Sequence, residues 1–308
     1  MSANEQKNLH AFDGENIGST KRVHHIPGAL THHYGTDFSG KITYQFNQLG
    51  FRGEDFNPKA KFHIFICGPS EGVGVGLLEH ETWCFEVKRY VASVKQIPPN
   101  EVNLVNFSQA GASTDYVIRT LIAQASRIRP NLIIACPGAK NRTEYTDYLV
   151  DPKNKQAKRL TININPHLNH LITENRHLPT GKKLANLSIE QWDRLSTIVM
   201  GYYRNYTLEK GTLNQLRNYL LLQSFCRMHK IPFLIWSLAR YAADTGFPQG
   251  LTSNLRQFSQ SIDLRHTLKI KLTEASDFAA DGIHPGRKSN RSIGRVICEK
   301  LTTENLIL

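Results

Sequence analysis

Residues 61–72 read KFHIFICGPSEG. The apolar, β-branched and aromatic run 61–67 has the length and composition of a buried strand, and Gly68-Pro69 ends it in a sharp turn. The same transition recurs further along the chain. Residues 102–107 (VNLVNF) read as a second strand running into Ser108-Gln109-Ala110-Gly111, residues 132–136 as a third running into Pro137-Gly138, and residues 231–238 (IPFLIWSL) as a fourth. Between them the apolar period becomes helical. Residues 79–95 form one such stretch, closed by Pro98-Pro99. Another is capped by Ser113 or Thr114 and lines one face with Val117, Ile118, Leu121, Ile122, Ala125 and Ile128 before Pro130. Residues 288–301 form an amphipathic closing helix. Alternation of this kind predicts an α/β fold around a parallel sheet. Each strand delivers its glycine-rich or polar residues at its C-terminal end, the edge at which such sheets bind ligands.

The flanks read differently. Residues 1–40 are rich in Gly, His, Asn and Ser and predict an irregular N-terminal arm; residues 41–308 predict a single domain that opens on a short edge strand, KITYQF, and a turn-rich NQLGFRGEDFNP. A long insertion, about 139–213, precedes the fourth strand. Two helical stretches, 188–207 and 212–229, lead up to that strand, the first with a Ser188/Gln191 capping box. With 40% apolar and 9% aromatic residues in 308, the chain buries a substantial core, which excludes wholesale disorder. No window approaches the roughly 18 consecutive apolar residues of a membrane span, and the start lacks the pattern of a secretory leader, so a cytoplasmic protein is expected. Five cysteines without a CxxC pair (Cys67, Cys84, Cys136, Cys226, Cys298) predict buried free thiols.

Lys and Arg number 38 against 26 Asp and Glu, a net charge of +12 with neutral histidines. Such a surplus favours acidic partners. It concentrates in residues 152–183, where Lys153, Lys155, Lys158, Arg159, Arg176, Lys182 and Lys183 face one acid, Glu174. That stretch contains no aromatic residue on which a base would stack, so nucleic-acid binding is the less favoured reading. His24-His25, His32-His33, His167 and His170 read as surface histidines rather than metal ligands, and Trp83, Trp192 and Trp236 as packing residues.

Two motifs carry chemistry. Gly68-Pro69-Ser70-Glu71-Gly72 exposes a serine in a glycine-rich turn directly after a buried strand and satisfies G-x-S-x-G. Asp281-Gly282-Ile283-His284 supplies an acid and a base within one short loop, close enough for the aspartate to accept the imidazole Nδ1–H and leave Nε2 facing a serine. Gly72-Val73-Gly74-Val75-Gly76 matches neither a phosphate loop nor the dinucleotide fingerprint. An α/β-hydrolase would need several strands before its nucleophile and a wider gap between acid and base.

In these residues the chain resembles the SGNH or GDSL hydrolases, serine esterases and lipases. The first block of that family is similar to Gly68-Pro69-Ser70, the second to Gly111 in NFSQAGAS, and the last to Asp281 and His284 in DGIHPG. NQLGFRGE resembles a lead-in found before the catalytic strand of such esterases. Two blocks depart: Pro69 stands where the family has aspartate, and Gly138-Ala139-Lys140-Asn141-Arg142 replaces Gly-x-Asn-Asp, so that either Lys140 or Asn141 takes the asparagine position. The resemblance implies a three-layer α/β/α, flavodoxin-like fold. It also implies a serine esterase with Ser70, His284 and Asp281 as its triad and an oxyanion hole from Ser70, Gly111 and Asn141 or Lys140. No cofactor is implied, and the substrate would be a small-molecule or glycan acyl ester. The alternative is an acyltransferase or a catalytically silent relative that binds glycan or nucleic acid through its basic surface.

Overall fold

The computed structural model describes residues 21–25, 41–47, 49–150, 157–164, 189–238, 259–272, 277–279 and 284–307. Lys21–His25 (β1) pairs antiparallel with Lys41–Gln45 (β2), so the arm expected to be irregular contributes a strand. Five residues flanked by Gly, His and Asn are too short for alternation to stand out.

Phe62–Cys67 (β3) leads into the four-residue helix Ser70–Val73 (α1). The next helical stretch breaks at Thr82. A 3₁₀ turn at Glu79–Glu81 precedes Trp83–Lys95 (α2), because the Thr82 hydroxyl accepts the Phe85 amide and starts a new helix there. Val102–Asn106 (β4), Thr114–Ala125 (α3) and Leu132–Ala135 (β5) follow. Ser113, rather than Thr114, is the cap of α3, its Oγ accepting the Tyr116 amide at 3.2 Å.

Thr143–Val150 (β6) and Ala157–Ile164 (β7) then form an antiparallel hairpin inside the expected insertion. Arg119 of α3 grips Glu144 at the root of the hairpin with two bonds of 2.7 and 2.6 Å. Much of the basic stretch, together with Ser188 and its capping box, lies outside the described residues, as do His32, His33, His167 and His170. The side chains of His24, His25 and Trp192 lie outside them too.

Ile189–Asn205 (α4), Leu208–His229 (α5), Phe233–Leu238 (β8), Thr267–Ile270 (β9) and Arg287–Thr303 (α6) complete the chain. α5 is a layer of the sandwich, since Leu216, Tyr219, Leu222 and Phe225 join the core beneath it.

Strands β4-β3-β5-β8-β9 form one sheet, and every neighbouring pair is parallel. With β3 first in sequence, this is the order 2-1-3-4-5, the flavodoxin-like doubly wound arrangement. β9 is a strand that the sequence did not announce: TLKI is short and lies at the sheet edge, with only Ile270 buried.

Alternate residues of the central strands serve opposite layers. Phe65, Cys67, Ile133 and Ile235 pack toward α3 and α5, while Ile64, Ile66, Ile134 and Trp236 pack toward α2 and α6. Because both faces are covered, the strands read as continuous apolar runs. Each fully buried large side chain contributes about 1.5–3 kcal/mol. Trp83 and Trp236 meet edge to face with ring centroids 5.0 Å apart, both fully buried. All five cysteines are buried and free; burial pushes the Cys226 and Cys298 thiols up to about 12, so they stay protonated. No helix among the described residues is long and apolar enough to cross a membrane.

Candidate active site

The strand order changes direction at β3, and ligands of open α/β sheets bind beyond the C-terminal strand ends at such a point. The loops after β3, β4 and β5 converge there. After β3, Pro69 is extended and starts α1, its carbonyl accepting the amides of Gly72 and Val73 at 2.9 and 3.1 Å. Ser70 is the first helical residue, and first-turn amides have no acceptor within their own helix. Gly72 is required by close approach, because a Cβ there would lie 2.3 Å from the Ser108 hydroxyl.

Arg52, from the turn-rich lead-in, fastens the far side of this turn. Its guanidinium donates to the carbonyls of Val73, Gly74 and Leu77 at 2.9, 2.6 and 2.7 Å and lies 4.2 Å from the centre of the Tyr44 ring. The residue is only 4% exposed. Burial lowers its pKa, with Tyr44 and Glu79 opposing, yet an arginine stays charged. Arg52→Met keeps the apolar stem and strands three carbonyls, which should lower stability by about 3 kcal/mol. Urea denaturation measures it; a loss below about 0.5 kcal/mol would show that water replaces the guanidinium.

The second loop is tied to the first. Asn106 donates to the Gly72 carbonyl at 2.7 Å and accepts the Ser108 amide at 3.1 Å, while the Gln109 amide donates to the Gly68 carbonyl at 3.0 Å. Gly111 follows at φ +77°, a left-handed conformation suited to glycine. In the third loop, Gly138 abuts Ala112, and its carbonyl accepts the Thr114 hydroxyl at 3.2 Å. The carbonyl of Asn141 accepts the Tyr203 hydroxyl at 2.9 Å. Lys140 is buried and is among the residues that line a different cavity, between α5 and the sheet.

The fourth contribution comes from the far end of the chain. The His284 carbonyl accepts the Ala279 amide at 2.7 Å, and Phe278 bridges antiparallel to Pro285 just ahead of α6. Asn290 holds it, donating to the carbonyls of Pro285 and Gly286 at 2.8 and 3.1 Å and accepting the Trp83 amide at 3.2 Å. Asp277 caps α6: its carboxylate accepts the Lys288 and Ser289 amides at 2.7 and 2.8 Å and the Ser289 hydroxyl at 2.8 Å.

Ser70 and His284 thereby line one crevice with Glu71, Trp83 and Asn290. It encloses about 10 Å³, room for one water. The Ser70 hydroxyl, on a residue 8% exposed, lies 3.3 Å from the Glu71 Oε2, a long bond to a buried carboxylate. The Trp83 indole holds the Glu71 carbonyl at 2.9 Å. Asp281 lies outside the described residues.

Among the predicted site residues, then, Ser70 and His284 share a crevice, the Gly111 loop is bonded to the Ser70 loop, and Lys140 is among the residues lining the α5 cavity. Glu71, Arg52, Asn106 and Asn290 are site residues that motif reading passed over. The only signal for Glu71 was an acid directly after the serine. For the others it was polar residues inside apolar or turn segments.

Among the described residues no cluster of three or more His, Cys, Asp or Glu side chains is arranged to hold a metal ion. No protein-family model matches the sequence, and no curated protein matches it. Among solved structures, the chain is similar to the psychrotrophic esterase EstA from Pseudoalteromonas sp., with 14% identity, coverage of 78% of this chain and 97% of that one, and a TM-score of 0.40. It is also similar to a family two carbohydrate esterase from Cellvibrio japonicus, with 9% identity, coverage of 86% and 66%, and a TM-score of 0.40. A two-domain esterase active on acetylated mannans aligns at 10% identity over 79% of this chain and 48% of that one, with a TM-score of 0.40. At such scores the architecture stands on the strand order described above.

Proposed function

We propose that this chain is a serine hydrolase of the SGNH type that cleaves an acyl ester through an acyl-enzyme on Ser70. The observation that carries the reading is that Ser70 and His284, from opposite ends of the domain, line one crevice at the C-terminal edge of the sheet. Ser70 Oγ attacks the ester carbonyl and His284 takes its proton. Asp281 orients the imidazole and stabilises its charged form. The oxyanion is held by the backbone N–H of Ser70, the backbone N–H of Gly111 and the Asn141 side chain, each such donor contributing about 3 kcal/mol in the transition state. Asn141 is preferred over Lys140 because Lys140 is among the residues that line the α5 cavity and Asn141 is not. His284 then protonates the leaving alcohol, and water releases the acyl group. These steps need no metal or organic cofactor.

A crevice with room for one water favours a short acyl group. The +12 charge favours an anionic or polyhydroxylated alcohol, such as an O-acylated glycan, over a neutral long-chain lipid.

Covalent labelling tests the proposal. A fluorophosphonate should modify Ser70 in the native protein, and the label should disappear in Ser70→Ala and fall sharply in His284→Ala. A folded wild-type chain that takes no label and hydrolyses no member of a broad acyl-ester panel would overturn it.

A further inference from the structure

A cavity of about 280 Å³ lies away from Ser70, on the opposite face of the sheet between α5 and strands β8 and β9. The Ser70 crevice is walled by Trp83 and Ile293 of the α2/α6 layer, whereas this cavity is walled by Leu216, Ile235 and Ile262 of the other layer. Two hydroxyls turned into it are not explained by packing. Thr212, Gln215, Leu216 and Tyr219 fall at i, i+3, i+4 and i+7 of α5 and so share one face. Leu216 and Tyr219 belong to the core beneath the helix, which turns that face and the Tyr219 ring toward the sheet. Side chains alternate along β8: Phe233 and Ile235 pack into this layer, and Leu234, Trp236 and Leu238 into the other. Ser237 therefore points the way of Ile235. Tyr219 is 5% exposed and Ser237 6%, and both line the cavity.

Among the described residues neither hydroxyl makes a hydrogen bond within the protein. The other polar groups of the lining are engaged. Thr212 donates to the Leu208 carbonyl and Thr267 to the Leu264 carbonyl, both at 2.8 Å, and Gln215 donates to the Gly138 carbonyl at 3.5 Å. Lys140 has a partner of its own, and Lys269 is exposed on the edge strand. Buried hydroxyls are nearly always hydrogen-bonded, so Tyr219 and Ser237 call for an acceptor that the described residues do not supply. Burial raises the Tyr219 phenol above its usual range, which keeps it a donor at neutral pH. A carbonyl oxygen, with two lone pairs, suits such donors. A carboxylate does not, because its desolvation costs more than two hydroxyls offset. The size follows from volume: a cavity about twice that of one that takes benzene accommodates roughly ten non-hydrogen atoms.

We infer that this cavity binds a small uncharged carbonyl compound with a compact apolar body, its oxygen accepting from the Tyr219 and Ser237 hydroxyls and its body against Leu216, Ile235 and Ile262. The inference stands independently of the esterase proposal, since none of these residues lines the Ser70 crevice.

Three probes with equal numbers of non-hydrogen atoms test it: acetophenone; α-methylstyrene, in which a methylene group replaces the carbonyl oxygen; and benzoate. Each is titrated into the full chain and followed by ligand-observed nuclear magnetic resonance. Acetophenone should bind, and benzoate should bind at least about tenfold more weakly. Tyr219→Phe and Ser237→Ala each delete one hydroxyl. Either should weaken acetophenone by about threefold or more and leave α-methylstyrene unchanged, whereas a merely structural effect would move both ligands together. One variant serves if the other fails to fold, and circular dichroism establishes folding for both. Ser70→Ala should bind acetophenone as the wild type does. Absence of acetophenone binding would show that water satisfies the two hydroxyls and would overturn the inference. So would equal or tighter binding of benzoate, or a folded variant of either hydroxyl that does not weaken acetophenone relative to α-methylstyrene. Loss of binding in Ser70→Ala would also overturn it, by moving the ligand to the other crevice, and would leave the esterase proposal intact.

Discussion

Ser70→Ala is expected to lower kcat for a short p-nitrophenyl ester by about 10⁴–10⁶-fold without loss of the fold. The substitution removes one hydroxyl from a nearly enclosed position. Its bond to Glu71, at 3.3 Å, is long enough that little stability goes with it. The turn itself is held by other groups: the Pro69 carbonyl, the Arg52 guanidinium and the Asn106 amide all act on backbone atoms that alanine retains. His284→Ala should cost about as much, and the double variant hardly more, because nucleophile and base act as one unit. Asp281→Ala should cost less, since the acid orients the base and water partly substitutes. Steady-state kinetics on variants with wild-type melting curves measure all four. A Ser70→Ala protein that keeps more than a tenth of wild-type activity would place the chemistry on another residue.

Asn141→Ala is expected to lower kcat by about 10²–10³-fold with KM nearly unchanged, the signature of a donor engaged only in the transition state. The third loop is suited to hold that amide still. Tyr203 donates to the Asn141 carbonyl, and burial together with the neighbouring Tyr202 pushes the Tyr203 phenol upward, so it remains a donor at neutral pH. Equal losses of kcat and rises of KM would make Asn141 a ground-state binder. Unchanged kinetics in Asn141→Ala beside a large loss in Lys140→Met would shift the oxyanion role by one residue.

Strands β3, β4, β5 and β8 were legible because both of their faces are covered. Phe62–Cys67 and Phe233–Leu238 are apolar at every position but one, His63 in the first and Ser237 in the second, and no local alternative suits such a run that stops at a glycine or a turn. Strands β6, β7 and β9 were not legible. β9 buries only Ile270, and β6 and β7 form a separate two-stranded hairpin rather than joining the central sheet, so none of them had to carry a continuous apolar run. In the same way Ser70 could be read as a turn serine, whereas Asn106 and Asn290 gave no motif, because their partners are backbone carbonyls of other loops.

By itself, then, the sequence determined the α/β class, the buried strands of the central sheet, the capped helices and the position of Ser70 immediately beyond a strand. All of these follow from burial and from residues close together along the chain. Tertiary structure alone decided which remote groups meet. α6 packs on α2 although about 200 residues separate them, so His284 arrives at the crevice of Ser70. It also decided that Lys140, one residue before Asn141, lines a cavity on the opposite face of the sheet. Such choices depend on packing between segments distant in sequence, and no local period or propensity encodes them.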